Sequence, residues 1–310
     1  KSSPLRYIEP ENIMKILEKV EEVYPFINGV IIDDENFIVN RKRAVRTLEL
    51  ITEARESRRL SKDMKYICRT RTDNIDPELC TLLKKAGFDS VAVGSESYSK
   101  AELDEMGKHI LPERNLKAVH DMLNAGLNVA ENLILYTPIT TPDTFHESVV
   151  QIVKNLSSLD IDGAASLFIT PLPGTYYWGG GEFETLFEFP HKAQLFQDRV
   201  MFRSKKNKLD YIGIEVKVPK SDKVLPHPEI VLVNDPLMRK VSLEALVHLP
   251  ETVEDLRRKA EGGNLARNFI TLANIASASR QLDRLTSEPR WKQLYTQISD
   301  IMIGSIKDRK

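Results

Sequence analysis

Five short apolar runs in the first 178 residues come with clusters of polar residues. Four of them end in Asp33-Asp34-Glu35-Asn36-Phe37, in Cys68-Arg69-Thr70-Arg71-Thr72-Asp73, in Gly94-Ser95-Glu96-Ser97, and in Thr170-Pro171-Leu172-Pro173-Gly174-Thr175. The remaining run carries Glu131-Asn132 within it. Carboxylate, guanidinium, amide and hydroxyl groups from several such runs, converging on one rim, make a site for a polar small molecule. A strand end is also polar for the plain reason that it meets water.

Other chemistries fit less well. Gly94-Ser95-Glu96-Ser97-Tyr98 has Tyr where a nucleophile elbow needs its second Gly. The run Gly179-Gly180-Gly181 lacks the Lys-Ser/Thr of a phosphate loop and opens no helix. The six His residues form no His-x-x-x-His pair, so no zinc site is indicated. Cys68 and Cys80, the only two cysteines, read as small buried hydrophobes.

The elements that must position these groups follow from periodicity. Pro10 to Tyr24 carries Ile13, Ile16, Leu17, Val20 and Val23 at helical steps. Further helices are expected over 40–57, 76–86, 115–125 and 141–159, with Asp76 as an N-cap and Gly87 and Gly126 as terminators. Between them, 27–32, 65–71, 89–96, 127–136 and 163–170 read as strands. Continuous apolar runs of this kind suit strands buried on both faces. Such βα units build an open doubly wound sheet or a partial barrel, with ligands beyond the strands' carboxyl ends. The pattern stops near Pro171. A Gly- and Pro-rich linker or lid follows, then a half-exposed strand at 210–218, then helices over 237–246, 253–260 and from 265 to the end. A lone strand of that kind needs a covering surface, and the later region is expected to pack on the edge or mouth of the αβ core.

The chain has 310 residues, 41% apolar and 29% charged, with a formal net charge of -1. That balance indicates no nucleic-acid partner. No apolar run approaches the ~20 residues that span a bilayer, and no signal segment is visible, so a cytoplasmic protein acting on a small molecule is the expectation. The sequence opens Lys-Ser-Ser-Pro, which suggests a fragment or a processed chain.

Six short motifs occur in order: Asp-Asp-x-x-Phe, Cys-Arg-Thr-Arg-Thr-Asp-x-x-Asp, Leu-Leu-Lys-Lys-Ala-Gly-Phe, Val-Gly-Ser-Glu-Ser, Leu-Asp-Glu-Met-Gly-Lys and Asn-Leu-Ile-Leu-Tyr-Thr-Pro. Together, over about Pro4 to Thr175, they resemble the radical S-adenosylmethionine enzymes, in the branch often joined to a cobalamin-binding domain. The resemblance implies an α/β fold: a partial parallel (β/α)6-type barrel lacking its first strand over 1–178, then a mainly helical capping or accessory region over 179–310. It implies that Asp33 and Asp34 meet the methionine amino group of S-adenosylmethionine, and that Glu96 contacts the cofactor. Asn132 then holds ribose hydroxyls, Lys108 meets the methionine carboxylate, and Arg71 and Thr170 line the same site. It further implies a [4Fe–4S] cluster and an electron donor in the full-length protein, with cobalamin as a further cofactor of that branch.

The sequence departs from the family where the cluster is concerned. The defining Cys-x-x-x-Cys-x-x-Cys is absent, and a cluster needs those thiolates. The expectation is a fragment beginning just after that motif, in a protein that cleaves S-adenosylmethionine for radical chemistry. The rival is a cluster-free sensor or scaffold that binds a nucleotide-like ligand. An aldolase-type barrel is disfavoured, because no lysine stands at the carboxyl end of any of the five strands.

Overall fold

A computed structural model describes residues 7–159, 161–172, 175–178, 182–188, 199–217, 219, 224–259 and 268–307. Residues 179–181, expected as a linker or lid, and 265–267, at the start of the last helical region, lie outside them. The chain forms two compact units. One comprises Lys1–Glu96, Ile110–Asn132 and Leu159–Asp162; the other comprises Ser97–His109, Leu133–Ser158 and Gly163–Lys310.

The first unit alternates helix and strand: α1 (Pro10–Val23), β1 (Gly29–Ile32), α2 (Arg41–Glu56), β2 (Lys65–Arg71), α3 (Pro77–Lys85) and β3 (Phe88–Glu96). After α4 (Lys100–Glu105), which belongs to the other unit, come α5 (Pro112–Asn124) and the start of β4 (Asn128–Tyr136). Helix starts are set locally. Asp76 accepts from the Leu79 amide at 2.9 Å and Asn40 from the Arg43 amide at 3.1 Å, each satisfying an orphan N–H of the first turn. Gly87, at φ 91°, turns the chain out of α3 into β3. With β5 (Ile161–Phe168), the strands form one sheet in the order β1-β2-β3-β4-β5. The β1–β2 and β2–β3 pairings are parallel, as the βα repeats require.

Burial alternates along these strands, which separates the two faces of the sheet. On β2, Tyr66, Cys68 and Thr70 are buried, whereas Arg69 is exposed and Arg71 half-buried. On β3, Val91, Val93 and Ser95 are buried, and Ala92, Gly94 and Glu96 are half-buried. Glu131 is buried and Asn132 exposed on β4. The dry face holds the core of this unit. Phe37, Tyr66 and Phe88 cluster there at 5.6–5.7 Å between ring centroids, and Leu48, Ile51 and Cys80 of this unit are fully buried as well. Each large side chain so buried contributes roughly 1.5–3 kcal/mol.

The second unit contains α4, the end of β4, α6 (Pro142–Ser158) and most of β5. A second sheet follows, β6 (Phe183–Glu188), β7 (Val200–Ser204), β8 (Asp210–Lys217) and β9 (Val224–Val231), antiparallel throughout. Periodicity indicated only β8. Pro226 and Pro228 disguise β9, but β9 is an edge strand, where a missing N–H is tolerated. Helices α7 (Pro236–Val247), α8 (Leu249–Lys259), α9 (Phe269–Thr286) and α10 (Pro289–Lys307) complete the unit. Ser287, left-handed at φ 56°, and Pro289 separate the last two.

Within this unit the later region packs on the αβ elements. Trp291 is fully buried with its ring 6.3 Å from Phe145 of α6, which stacks on Tyr136 of β4 at 5.5 Å. The Asn268 side chain accepts from the Gly163 amide at 2.8 Å, and Val231 donates to the Ile169 carbonyl at 3.0 Å. Ile169, Phe202, Leu209, Tyr211 and Val231 form one apolar core, with Ile134 of β4 against it.

Candidate functional site

The open face of the first unit carries several of the polar groups that the sequence singled out. Asp33 follows β1, and its carboxylate lies 3.3 Å from the Arg69 guanidinium. Arg71, two residues along β2 and therefore on the same face, donates bidentately to Asp73 at 2.8–3.2 Å. The hydrogen bonds to Asp73 raise its pKa, and the nearby Glu96 carboxylate adds to the effect. Gly94 is the register partner of Arg71, which carries the same face onto β3 and so to Glu96. Asn132 occupies the equivalent, exposed face of β4. Asp33, Asp73 and Glu96 together outnumber Arg69 and Arg71, so the strand ends favour a cationic or hydroxyl-rich ligand.

Glu96 has φ 61°. A side chain in left-handed backbone is a strained conformation that the surroundings must enforce, and such residues gather at ligand sites. Asp34 diverges from Asp33. Its Oδ1 accepts from the Asn36 amide at 3.0 Å, and it lies 3.8 Å from Arg43 of α2. Both aspartates line a cavity of about 600 Å³ between α1, β1 and the start of α2, otherwise mostly apolar. Arg71, Glu96 and Asn132 are not among its lining residues.

Lys108 and Thr170 belong to the second unit. Lys108 is half-buried three residues beyond α4, its amide donating to the Leu103 carbonyl at 2.8 Å. Thr170 is exposed just beyond β5.

Several groups escaped the sequence reading. Arg69 was detectable by its i, i+2 relation to Arg71 across a buried Thr70. Asn115 and Glu102 carried no such signal. Glu102 is buried in the second unit, accepting from Ser97 at 2.6 Å and Thr140 at 2.5 Å.

The cysteines do not fit an iron–sulfur cluster. Two thiols are one short of three ligands, and both are buried. Burial pushes the Cys80 thiol up to about 12 and raises Cys68 as well, which opposes the thiolate a metal requires. Among the described residues no group of three or more His, Cys, Asp or Glu could hold a metal ion. No helix among them is long and apolar enough to cross a membrane.

A parallel α/β sheet with convergent polar groups at its carboxyl end defines a barrel-type ligand-binding fold. Residues 1–156, half of the chain, match the profile of the radical S-adenosylmethionine (radical SAM) superfamily, and the chain belongs to that superfamily. An uncharacterized methyltransferase of Pyrococcus horikoshii, PH0819, is 30% identical over 145 residues, 47% of this chain. The match takes in 29% of that relative's length. In fold, the chain is similar to the cobalamin-dependent S-adenosylmethionine radical enzyme OxsB with aqua-cobalamin and S-adenosylmethionine bound. The TM-score is 0.57 at 12% identity, over 98% of this chain and 51% of that one. The apo form of OxsB gives 0.53 at 13% identity, over 100% and 52%. At these identities the likeness is one of fold, the α/β fold of radical SAM enzymes.

Proposed function

We propose that this chain supplies the S-adenosylmethionine-binding wall of a radical SAM enzyme. The observation that carries the reading is the common face. Asp33, Arg71 and Glu96 stand at the ends of three strands and Asn132 in the middle of a fourth, all on the open side of one sheet, with Glu96 held in left-handed backbone. The donor set suits the ligand. S-adenosylmethionine is a sulfonium with an ammonium, a carboxylate and ribose hydroxyls. Carboxylates at Asp33 and Glu96 match the ammonium and the hydroxyls, and the Asn132 amide can serve a ribose oxygen. Asp34 lines the cavity next to Asp33 and adds negative charge near the ammonium. Lys108 and Thr170 are assigned to the methionine carboxylate and the site rim on the family resemblance alone.

In the whole protein the reading is reductive use of S-adenosylmethionine, with a small-molecule substrate and an electron donor. The methyltransferase name of PH0819 and the cobalamin of OxsB favour methyl transfer with cobalamin as partner cofactor. The two cysteines of these 310 residues cannot hold an iron–sulfur cluster. That same shortage favours a second reading for the chain by itself: ligand binding without cleavage.

The test is an NMR titration of the ¹⁵N-labelled chain with S-adenosylmethionine. Weak binding is expected, with shifts concentrated at 94–97, 131–133 and 69–73, and reduced by Glu96→Gln. Shifts confined elsewhere, or unaffected by Glu96→Gln and Asn132→Ala, overturn the site.

A further inference from the structure

Beneath the open face a buried polar chain runs from strand to strand. The Thr72 hydroxyl, one residue past β2, donates to Asn115 Oδ1 at 2.6 Å. Asn115 Nδ2, in the first turn of α5, donates to the Ser95 carbonyl at 2.9 Å. The Ser95 hydroxyl donates to Glu131 Oε1 at 2.5 Å. All four residues are buried. Three of them adjoin a residue that faces the open side: Thr72 follows Arg71, Ser95 precedes Glu96, and Glu131 precedes Asn132.

We infer that Asn115 is a positioning residue, which sets the Ser95–Glu96 peptide, and with it Glu96 and Arg71, for the ligand of the open face. This rests on the reading of that face as the S-adenosylmethionine site. The Ser95 carbonyl begins the peptide whose next residue is the left-handed Glu96. Rotating that peptide swings the Glu96 side chain, so a donor locked onto the carbonyl fixes its direction. The same amide accepts from Thr72, tying the end of β2 to the end of β3 through one rigid plane. A primary amide offers an acceptor and a donor at every pH. An aspartate accepts from Thr72 but donates to Ser95 only when protonated, and leucine does neither. The left-handed residue thus follows a carbonyl that a buried side chain of the helix holds.

The experiment compares the parent chain with Asn115→Asp and Thr72→Val by thermal melting, by hydrogen exchange of the 94–98 segment, and by S-adenosylmethionine titration from pH 5 to 8. At pH 8, Asn115→Asp should weaken binding about tenfold, the worth of one buried hydrogen bond. Affinity should return as the pH falls and the new carboxyl regains its proton, a recovery the parent does not show. Exchange at 95–97 should quicken in the same variant and pH range. Parent-like affinity at every pH overturns the inference. So does a loss that simply follows a lowered melting temperature without recovery at low pH. If the parent itself shows no binding, the ligand reading fails and the exchange data decide alone: unchanged exchange at 95–97 removes the positioning role, and quickened exchange reversed at low pH supports it.

Discussion

The Ser97 hydroxyl donates to Glu102 Oε2 at 2.6 Å in a place where neither residue is exposed. Thr140 and Thr144 also point hydroxyls at this carboxyl, and Ser148 joins Ser97 at 3.0 Å. The cage ties the turn before α4 to the turn before α6. Burial raises the Glu102 pKa to about 7 despite these hydrogen bonds, and Glu147 adds to the rise. The helix bearing Glu102 also carries Lys100, Asp104 and Glu105.

A carboxyl whose folded pKa lies above its unfolded value binds its proton more tightly when folded. Stability should therefore be highest below about pH 4.5, for this group alone, and fall as the pH rises to about 7. The cost above that range is on the order of 3 kcal/mol. Urea unfolding at pH 5 and pH 8 measures it. Glu102→Gln, which keeps an acceptor and has no charge to bury, should lose most of the pH dependence. An unchanged slope in that variant would mean that other groups produce it.

Glu96→Gly should separate stability from binding. Relief of the left-handed conformation at φ 61° stabilises by roughly 1 kcal/mol, while the lost carboxylate weakens the ligand. A higher melting temperature with poorer S-adenosylmethionine affinity is expected. A lower melting temperature would show that the Glu96 side chain contributes more to the fold than its backbone costs.

Gly213→Ala should break the register of β8 and β9. A Cβ there collides with the His227 carbonyl oxygen and comes within 2.8 Å of Pro228 Cα, both backbone atoms that cannot step aside. A cost of at least ~3 kcal/mol is expected. Gly29→Ala is the control. Its Cβ meets nothing nearer than the Lys65 carbonyl at 3.8 Å, so its effect should stay within about 0.5 kcal/mol. Equal urea midpoints for the two variants would refute the steric argument.

Cys68 and Cys80 should behave as core residues. Both are buried with raised thiol pKa values, so a thiol reagent should label neither in the native chain and both in urea. Anaerobic reconstitution with iron and sulfide should leave no stable visible absorbance. A stoichiometric cluster lost on Cys68→Ala would contradict the account of these thiols.

The first sheet was legible because its strands are short, apolar and punctuated. β2 and α3 fell where the runs and the Asp76 cap placed them, since local periodicity and turn chemistry act within a few residues. Of the second sheet only β8 was legible. β9 carries Pro226 and Pro228, and the β6–β7 and β8–β9 pairings each contain a register shift, which breaks the two-residue alternation by which a strand is read.

The same division holds for the site. The sequence by itself determined which polar types stand at the strand ends, and that Arg69 and Arg71 must share a side, because strand alternation is a local rule. Only the tertiary structure decided that Asp33 turns to Arg69 while Asp34 turns to Arg43. It alone brought Asn115, twenty residues past Ser95, beneath Glu96. Those choices are made by packing a helix against a sheet, which couples residues that no local pattern relates.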